Sequence, residues 1–483
     1  MNAGKGLGLD RLTYIGGLWS AYRTGHEGQP YVAQRQQQRL QDIVAYARAR
    51  SPHYRRLYTD VPEQPCDIGR LPVVTKAELM AHFDDWVTDR SVTRAQIEVF
   101  LANPDNIGRD FLGRYVVCTT SGATGTPAIL LHDHTALVVY NVLGYVRSLP
   151  ALLLSPRTLW ALLRGRGRMA AVFVTGGHFL GNTMMARRIR NIPWRGRSQR
   201  IFSALAPVAE LVSDLNAFQP VIVGGYPSAL ETLAREQRAG RLHIHPVLIN
   251  AAGETLPTAK RQFIGTAFGC RVGNYYGSSE AVGLTYECAA QRLHVNSDWY
   301  ILEPVDACNR PVAAGQLSDG VLVTNLANRI QPIIRYHMED RISMEADPCT
   351  CGSPFPTIHV VGRTDDILTF PTPRGEQVQI LPLAIATVAE GTPGVASCQL
   401  IQRTASSLTV RLRVANPADE QAVWAALRDR LAAFLSAHGA STVTIEKADE
   451  APALHPRSGK FRQVYSEIAR RPQGDSAPAP PTA

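Results

Sequence analysis

The run Thr119-Thr120-Ser121-Gly122-Ala123-Thr124-Gly125-Thr126-Pro127 closes the strand pattern YVVCTT at 115–120. Glycine accepts positive φ and close approach to a ligand, so successive amide N–H groups can converge on phosphate oxygens. The threonine and serine hydroxyls add neutral donors. Neither the G-x-x-x-x-G-K-[ST] spacing nor a dinucleotide fingerprint is present. Taken alone, the run also fits a hydroxyl-rich turn between strands. Its surroundings decide the fold class. Short β-branched runs at 170–175, 220–225, 246–253 and 321–326 alternate with helical patterns. Apolar strands followed by glycine-containing turns and helices predict an α/β body with mostly parallel sheets.

Outward from this body, residues 37–57 carry a helical stripe at Leu40, Ile43, Val44 and Ala47, ended by Ser51-Pro52. Thr75, three residues before Glu78, is placed to cap a further helix. Beyond 362–366 the texture changes. Strand patterns at 397–403 and 407–414, a helix at 419–439 and a strand at 442–448 predict a small α+β unit. The chain therefore divides into a large N-terminal domain over 1–364, a small C-terminal domain over 365–470 and a Pro/Ala-rich tail over 471–483, expected to be disordered.

At 45% hydrophobic and 19% charged, the 483 residues are not those of a wholly disordered chain. No apolar stretch is long enough to predict a membrane span, and the N-terminus lacks a secretory pattern, so a cytoplasmic protein is expected. Lys and Arg (50) outnumber Asp and Glu (41), and the densest basic run is Arg187–Arg200. A solvated face explains that run; no helix-turn-helix, zinc-finger or RNA-binding signature accompanies it, and no nucleic-acid partner is expected. Of eight cysteines, Cys66, Cys118, Cys270, Cys308 and Cys398 stand alone and are expected to be small buried hydrophobes.

The glycine-rich loop is followed in order by Tyr276-Gly277-Ser278-Ser279-Glu280, Tyr336-His337-Met338-Glu339-Asp340, Gly362-Arg363-Thr364-Asp365-Asp366 and Pro456-Arg457-Ser458-Gly459-Lys460. This series resembles the adenylate-forming superfamily of acyl- and aryl-CoA ligases, adenylation domains and luciferases. Within it, SPHYRRLY, LPVVTK, Gly253-Glu254 and RGEQVQILP make the chain most similar to the phenylacetate–CoA ligase branch. The resemblance covers about 30–470.

The resemblance implies ATP-dependent activation of a carboxylic acid as an acyl-adenylate, release of pyrophosphate and transfer to coenzyme A. Thr119, Thr120, Ser121, Gly122, Thr124 and Gly125 would hold the terminal phosphates. Gly253-Glu254 would line the adenine pocket, and Tyr276 and Gly277 would lie against the base. Ser279 would hold the α-phosphate, Glu280 a magnesium ion, and Asp340 with Arg363 the ribose hydroxyls. Asp365 occupies the expected hinge, and Gly375 the loop expected to leave a thiol tunnel. Lys460 is the expected catalytic lysine, its ammonium bridging carboxylate and α-phosphate. Tyr140, Tyr226 and Ala252 are candidates for the acid pocket, and each also fits a core position. One departure concerns charge: Thr126 and Ala128 stand where relatives carry lysine.

Cys288, His294, Cys349 and Cys351 form a Cys₃His set suited to structural zinc, and relatives in the branch show a similar pattern. Scattered thiols and a surface histidine remain an alternative, since the spacing is not that of a common finger. The substrate expectation is an aromatic acid, from the branch alone. An amine or a carrier-protein thiol as acceptor, a homodimer, and a non-catalytic nucleotide-binding relative all stay open.

Overall fold

Proline and serine set the first helices. Pro30 opens the helix Gln29–Arg50, where its missing N–H costs nothing, so the helix begins eight residues before the predicted 37. Val32, Leu40, Ile43, Val44 and Ala47 form its buried stripe. Ser51 is extended, as a residue before proline must be. Its N–H closes the helix on the Ala47 carbonyl at 2.8 Å, and its hydroxyl accepts from Tyr54 N–H at 3.4 Å to start the helix Pro52–Leu57. Thr75 caps Lys76–Ala81 by accepting from Glu78 N–H at 3.3 Å. These contacts belong to the computed structural model of the chain, which describes residues 7–62, 67–120, 128–148, 156–362, 368–374, 376–380, 382–453 and 463–468.

The described residues separate into two compact units, one ending at Gly362 and one beginning at Leu368. In the first unit, β1 (Asp110–Phe111), β2 (Tyr115–Thr119) and β3 (Ile129–His132) make an antiparallel sheet. The next five strands, β4 (Met169–Phe173), β5 (Gln199–Ser203), β6 (Ile222–Gly225), β7 (Leu248–Ala252) and β8 (Arg271–Tyr275), form a parallel sheet in the order β5-β4-β6-β7-β8. Then come β9 (Thr285–Glu287), β10 (Leu293–Val295), β11 (Tyr300–Val305), β12 (Gly320–Asn325), β13 (Ile333–Met338), β14 (Arg341–Met344) and β15 (Thr357–Gly362). They build two antiparallel sheets, β11-β12-β13 and β14-β15-β10-β9. The α/β expectation holds, with one refinement. The runs at 115–120 and 321–326 lie in antiparallel sheets, paired with strands that run the opposite way on both sides.

A buried ion triad ties this unit together. The fully buried Asp298 carboxylate receives Arg147 at 2.7 and 2.9 Å and Arg39 at 3.1 Å. Arg39 lies 3.5 Å from the Trp299 ring centroid and Arg147 4.0 Å from that of Phe355. Burial pushes the Asp298 carboxyl up, but the two guanidiniums outweigh it and hold it below the usual range. Among the described residues two of the lone cysteines depart from expectation, and Cys66 lies outside those residues. Cys118 and Cys398 are buried, Cys270 is half-buried, and Cys308 is exposed. Cys308 sits in a turn whose Asp306 carboxylate accepts from its N–H at 2.8 Å, so local turn chemistry decides its place.

In the second unit, β16 (Leu368–Pro371) and β17 (Gln377–Ile380) pair as a hairpin. The strands β18 (Val395–Thr404), β19 (Ser407–Val414), β20 (Thr444–Lys447) and β21 (Val464–Ser466) form a mixed sheet ordered β20-β19-β18-β21. The Gln402 amide bonds both backbone groups of Thr369, joining sheet to hairpin at 3.2 and 2.5 Å. The helix Glu420–Ala437 buries Val423, Leu427, Leu431, Phe434 and Leu435. The tail 471–483 lies outside the described residues.

Candidate functional site

In an open parallel sheet, ligands bind beyond the carboxyl ends of the strands, near the point where the strand order reverses. Here the chain passes from β4 outward to β5 and returns on the other side to β6, which places the reversal between β4 and β6. Three predicted segments leave the carboxyl ends of adjacent strands. Tyr226 follows β6, Gly253-Glu254 follow β7, and Tyr276–Glu280 follow β8. The register Gly225↔Ala251 and Ala252↔Tyr275 brings them to one edge of the sheet.

Close packing dictates the glycines. Gly253 has φ +82°, and a Cβ there would lie 2.9 Å from Cε1 of Tyr226. Tyr226 is buried and meets Phe173 edge-on, with centroids 5.3 Å apart. At Gly277 a Cβ would come within 2.7 Å of the Tyr275 hydroxyl. Glu254 turns back to the first turn of the helix Pro227–Arg238, where it accepts from Ser228 N–H at 3.1 Å and from the Ser228 hydroxyl. Burial raises the Glu254 carboxyl, opposed by the Ser228 donors, and Oε1 is left without a hydrogen-bond partner among the described residues.

The 276–280 segment is pinned on both sides. Thr285 Oγ1 accepts from Tyr276 N–H at 3.0 Å and donates to Tyr276 O at 2.7 Å. Buried Glu280 offers Oε1 to the Tyr336 hydroxyl at 3.2 Å, while its carbonyl accepts from Asn325 Nδ2 at 3.0 Å. Asn325 Nδ2 also donates to the Tyr140 hydroxyl at 3.1 Å, which faces His132 Nδ1 at 3.4 Å. Tyr140 is therefore a member of a buried polar chain that ends at Glu280. Ser278 Oγ lies 3.6 Å from Met338 Sδ, and half-buried Asp340 follows two residues later, between β13 and β14.

The neck of the 119–127 loop is closed by a reciprocal pair. Thr120 N–H donates to Ala128 O at 3.0 Å, and Thr120 Oγ1 accepts from Ala128 N–H at 2.9 Å. Thr119 N–H donates to His178 O at 2.9 Å. Ser121, Gly122, Thr124, Gly125, Arg363, Asp365, Gly375 and Lys460 lie outside the described residues. No sequence motif marks Asn325, Ser228 or His132. A lone amide, hydroxyl or imidazole carries no pattern until the fold surrounds it.

Cys288, His294, Cys349 and Cys351 meet, with all ligand atoms within 4.8 Å of one another. Cys288 lies in the tight turn between β9 and β10, which closes by Gln291 N–H donating to Cys288 O at 3.0 Å. His294 is on β10, and the other two cysteines are on the segment between β14 and β15. The separations Cys288 Sγ–Cys349 Sγ 3.7 Å and Cys351 Sγ–His294 Nε2 3.3 Å are near the edges of a tetrahedron about a metal ion, roughly 3.5–3.8 Å. His294 Nδ1 faces the Phe355 carbonyl at 2.8 Å, which selects the tautomer with Nε2 free to ligate. The donor set fits a soft, four-coordinate divalent ion.

No protein-family model matches the chain. It is 26% identical over 463 residues to phenylacetate-coenzyme A ligase of Thermus thermophilus, covering 89% of this chain and 95% of that one. It is 27% identical over 214 residues to protein CapK of Staphylococcus aureus, covering 43% of this chain and 45% of that one. Its fold matches 2-hydroxyisobutyryl-CoA ligase, in complex with 2-HIB-AMP and CoA, at TM-score 0.58 and 20% identity over 92% of this chain and 91% of that one. A postadenylation state of that ligase matches at 0.52. The chain is thus similar in sequence to a phenylacetate–CoA ligase along most of its length and shares the fold of 2-hydroxyisobutyryl-CoA ligase.

Proposed function

We propose that the protein is an AMP-forming acid–CoA ligase. A carboxylate oxygen attacks the α-phosphorus of ATP, the bond to the β-phosphate breaks, and pyrophosphate leaves. The coenzyme A thiolate then attacks the acyl carbon, and AMP leaves with the bonding pair. The observation that carries this reading is the gathering of Tyr226, Gly253-Glu254 and Tyr276–Glu280 beyond β6, β7 and β8, in a chain homologous to a ligase along most of its length.

Each residue has a defined task. Gly253 and Tyr276 offer a closely packed floor for adenine with Glu254 beside it, and Tyr226 lines the acid pocket. Asp340 accepts from ribose hydroxyls. Ser279 and the loop from Thr119 donate to phosphate oxygens. Lys460 neutralises charge developing at the α-phosphoryl group, and Asp365 serves as the hinge. Magnesium would supply charge screening for the triphosphate. Glu280 is the carboxylate to hold it, and one carboxylate suffices for an ion whose other ligands are phosphates and water.

Zinc is the ion we assign to Cys288, His294, Cys349 and Cys351. It would tie the β9–β10 turn to the 349–351 segment and has no part in the chemistry. The acid is assigned as aromatic, after the relative named for phenylacetate. The test is pyrophosphate release with phenylacetate, benzoate and 2-hydroxyisobutyrate, each with and without coenzyme A. Release with an aromatic acid and a thioester product supports the reading. A thioester only with 2-hydroxyisobutyrate overturns the aromatic assignment, and adenylate without thioester shifts the acceptor to an amine or carrier protein. No release with any acid favours a nucleotide-binding relative.

A further inference from the structure

The excess positive charge has a location. From His134 to Ala209 the chain contains eleven arginines and no lysine, aspartate or glutamate, more than the net +9 of the whole protein. Arg147 is spent on Asp298 and Arg187 on Asp110. Arg164, Arg166, Arg188, Arg190, Arg197 and Arg200 are exposed, and none has an acidic side chain within salt-bridge distance among the described residues.

The fold collects them. The turn 165–168 enters β4 and the turn 193–198 enters β5, and Met169 N–H donates to Ser198 O at 2.7 Å, so the two turns lie side by side at the amino ends of the strands. The helix Leu180–Asn191 returns from the carboxyl end of β4 and brings Arg188 and Arg190 to the same end. Arg188 is within electrostatic reach of Arg195.

Apolar side chains stand out from the same surface. The helix Pro156–Arg164 turns Leu159, Trp160 and Leu163 to solvent at 49%, 61% and 79% exposure, and Trp194 is 68% exposed. Arg164 lies 5.1 Å from the Trp160 ring and Arg195 5.8 Å from that of Trp194. Tryptophan and leucine flanked by arginine suit the boundary between lipid headgroups and acyl chains.

We propose that this surface docks the protein onto an anionic lipid membrane, with the two tryptophans and leucines entering the headgroup boundary and the arginines facing lipid phosphates. A nucleic acid would use the arginines but has no place for Leu159 and Leu163. A second copy would press one arginine-rich surface against another. A carrier protein delivering a thiol would have to bind at the carboxyl ends of the parallel strands, where the candidate site lies, whereas this surface is at their amino ends.

The test is co-sedimentation of the full chain with vesicles of phosphatidylcholine alone or with about 30% phosphatidylglycerol. It needs neither ATP nor an acid, so its outcome is independent of the ligase assay. About tenfold more protein should sediment with the anionic vesicles, and raised salt should reverse most of it. Trp160→Ser/Leu163→Ser and Arg190→Ser/Arg197→Ser should each remove most of the binding at an unchanged melting temperature. Equal sedimentation with both vesicles, or none with either, overturns the proposal. So does a wild-type dimer that Trp160→Ser/Leu163→Ser dissociates, or binding to duplex DNA that exceeds vesicle binding.

Discussion

The Tyr336 hydroxyl donates to Oε1 of the Glu280 carboxylate at 3.2 Å, so the proposed magnesium ligand is aimed by a tyrosine 56 residues further along the chain. A hydrogen bond to a charged group contributes on the order of 1.5–3 kcal/mol, and losing it frees the carboxylate to rotate. Tyr336→Phe should therefore lower kcat for pyrophosphate release by roughly tenfold and raise the magnesium concentration needed. An unaltered magnesium dependence would separate Tyr336 from metal positioning.

Gly253 leaves no space for a side chain, because Cε1 of Tyr226 would stand 2.9 Å from its Cβ and φ is +82°. Gly253→Ala should destabilise the larger unit by about 1–3 kcal/mol and raise KM for ATP. Adding Tyr226→Ala removes the collision but not the backbone strain, so the double variant should fail to recover full stability in thermal melts.

Metal analysis of protein purified without added zinc should find about one equivalent, since the three thiols and the imidazole meet as a single donor set. Cys351→Ser and His294→Ala should each bring that well below one and lower the melting temperature. A chelator should do the same to the wild type, and a metal-free wild type of unchanged stability would remove the zinc assignment.

Burial pushes the His132 imidazole down from 6.5 to about 4, so the folded protein holds it neutral while the unfolded chain protonates it. The sign follows. Its contribution to stability is complete above about 6.5 and is lost as pH falls toward 4, by up to about 3 kcal/mol. Denaturant titrations between those limits should show a shallower pH slope for His132→Gln than for the wild type, and parallel slopes would contradict the burial argument.

Lys460→Ala should abolish adenylate formation while leaving the melting temperature unchanged, because the long ammonium is proposed to act on charge that develops only during transfer. ATP–pyrophosphate exchange near the wild-type rate in that variant would sink the assignment.

Much of this organisation is legible in one dimension because its causes are local. The stripe Leu40, Ile43, Val44 and Ala47 has a helical period, and Ser51-Pro52 cannot continue a helix. The helix expected at 419–439 runs Glu420–Ala437 for the same reason. Parallel and antiparallel strands read alike, since both are short β-branched runs. The pairing of β2 and β12 with antiparallel partners depends on which neighbours lie beside them.

The sequence by itself determined the chemistry available to this protein: its motif order, its Cys₃His set and its surplus of arginine. Tertiary structure decided which of those groups meet. Asn325 joins Tyr140 to Glu280 across 185 and 45 residues, a link that exists only because the fold brings the last residue of β12 within hydrogen-bonding distance of both. Cys288 reaches Cys349 across 61 residues because β10 pairs with β9 and β15. The arginines of two separate turns become one surface because β4 and β5 are neighbours. Hydrogen bonding and electrostatic attraction act over a few ångströms, and only the folded chain sets those distances.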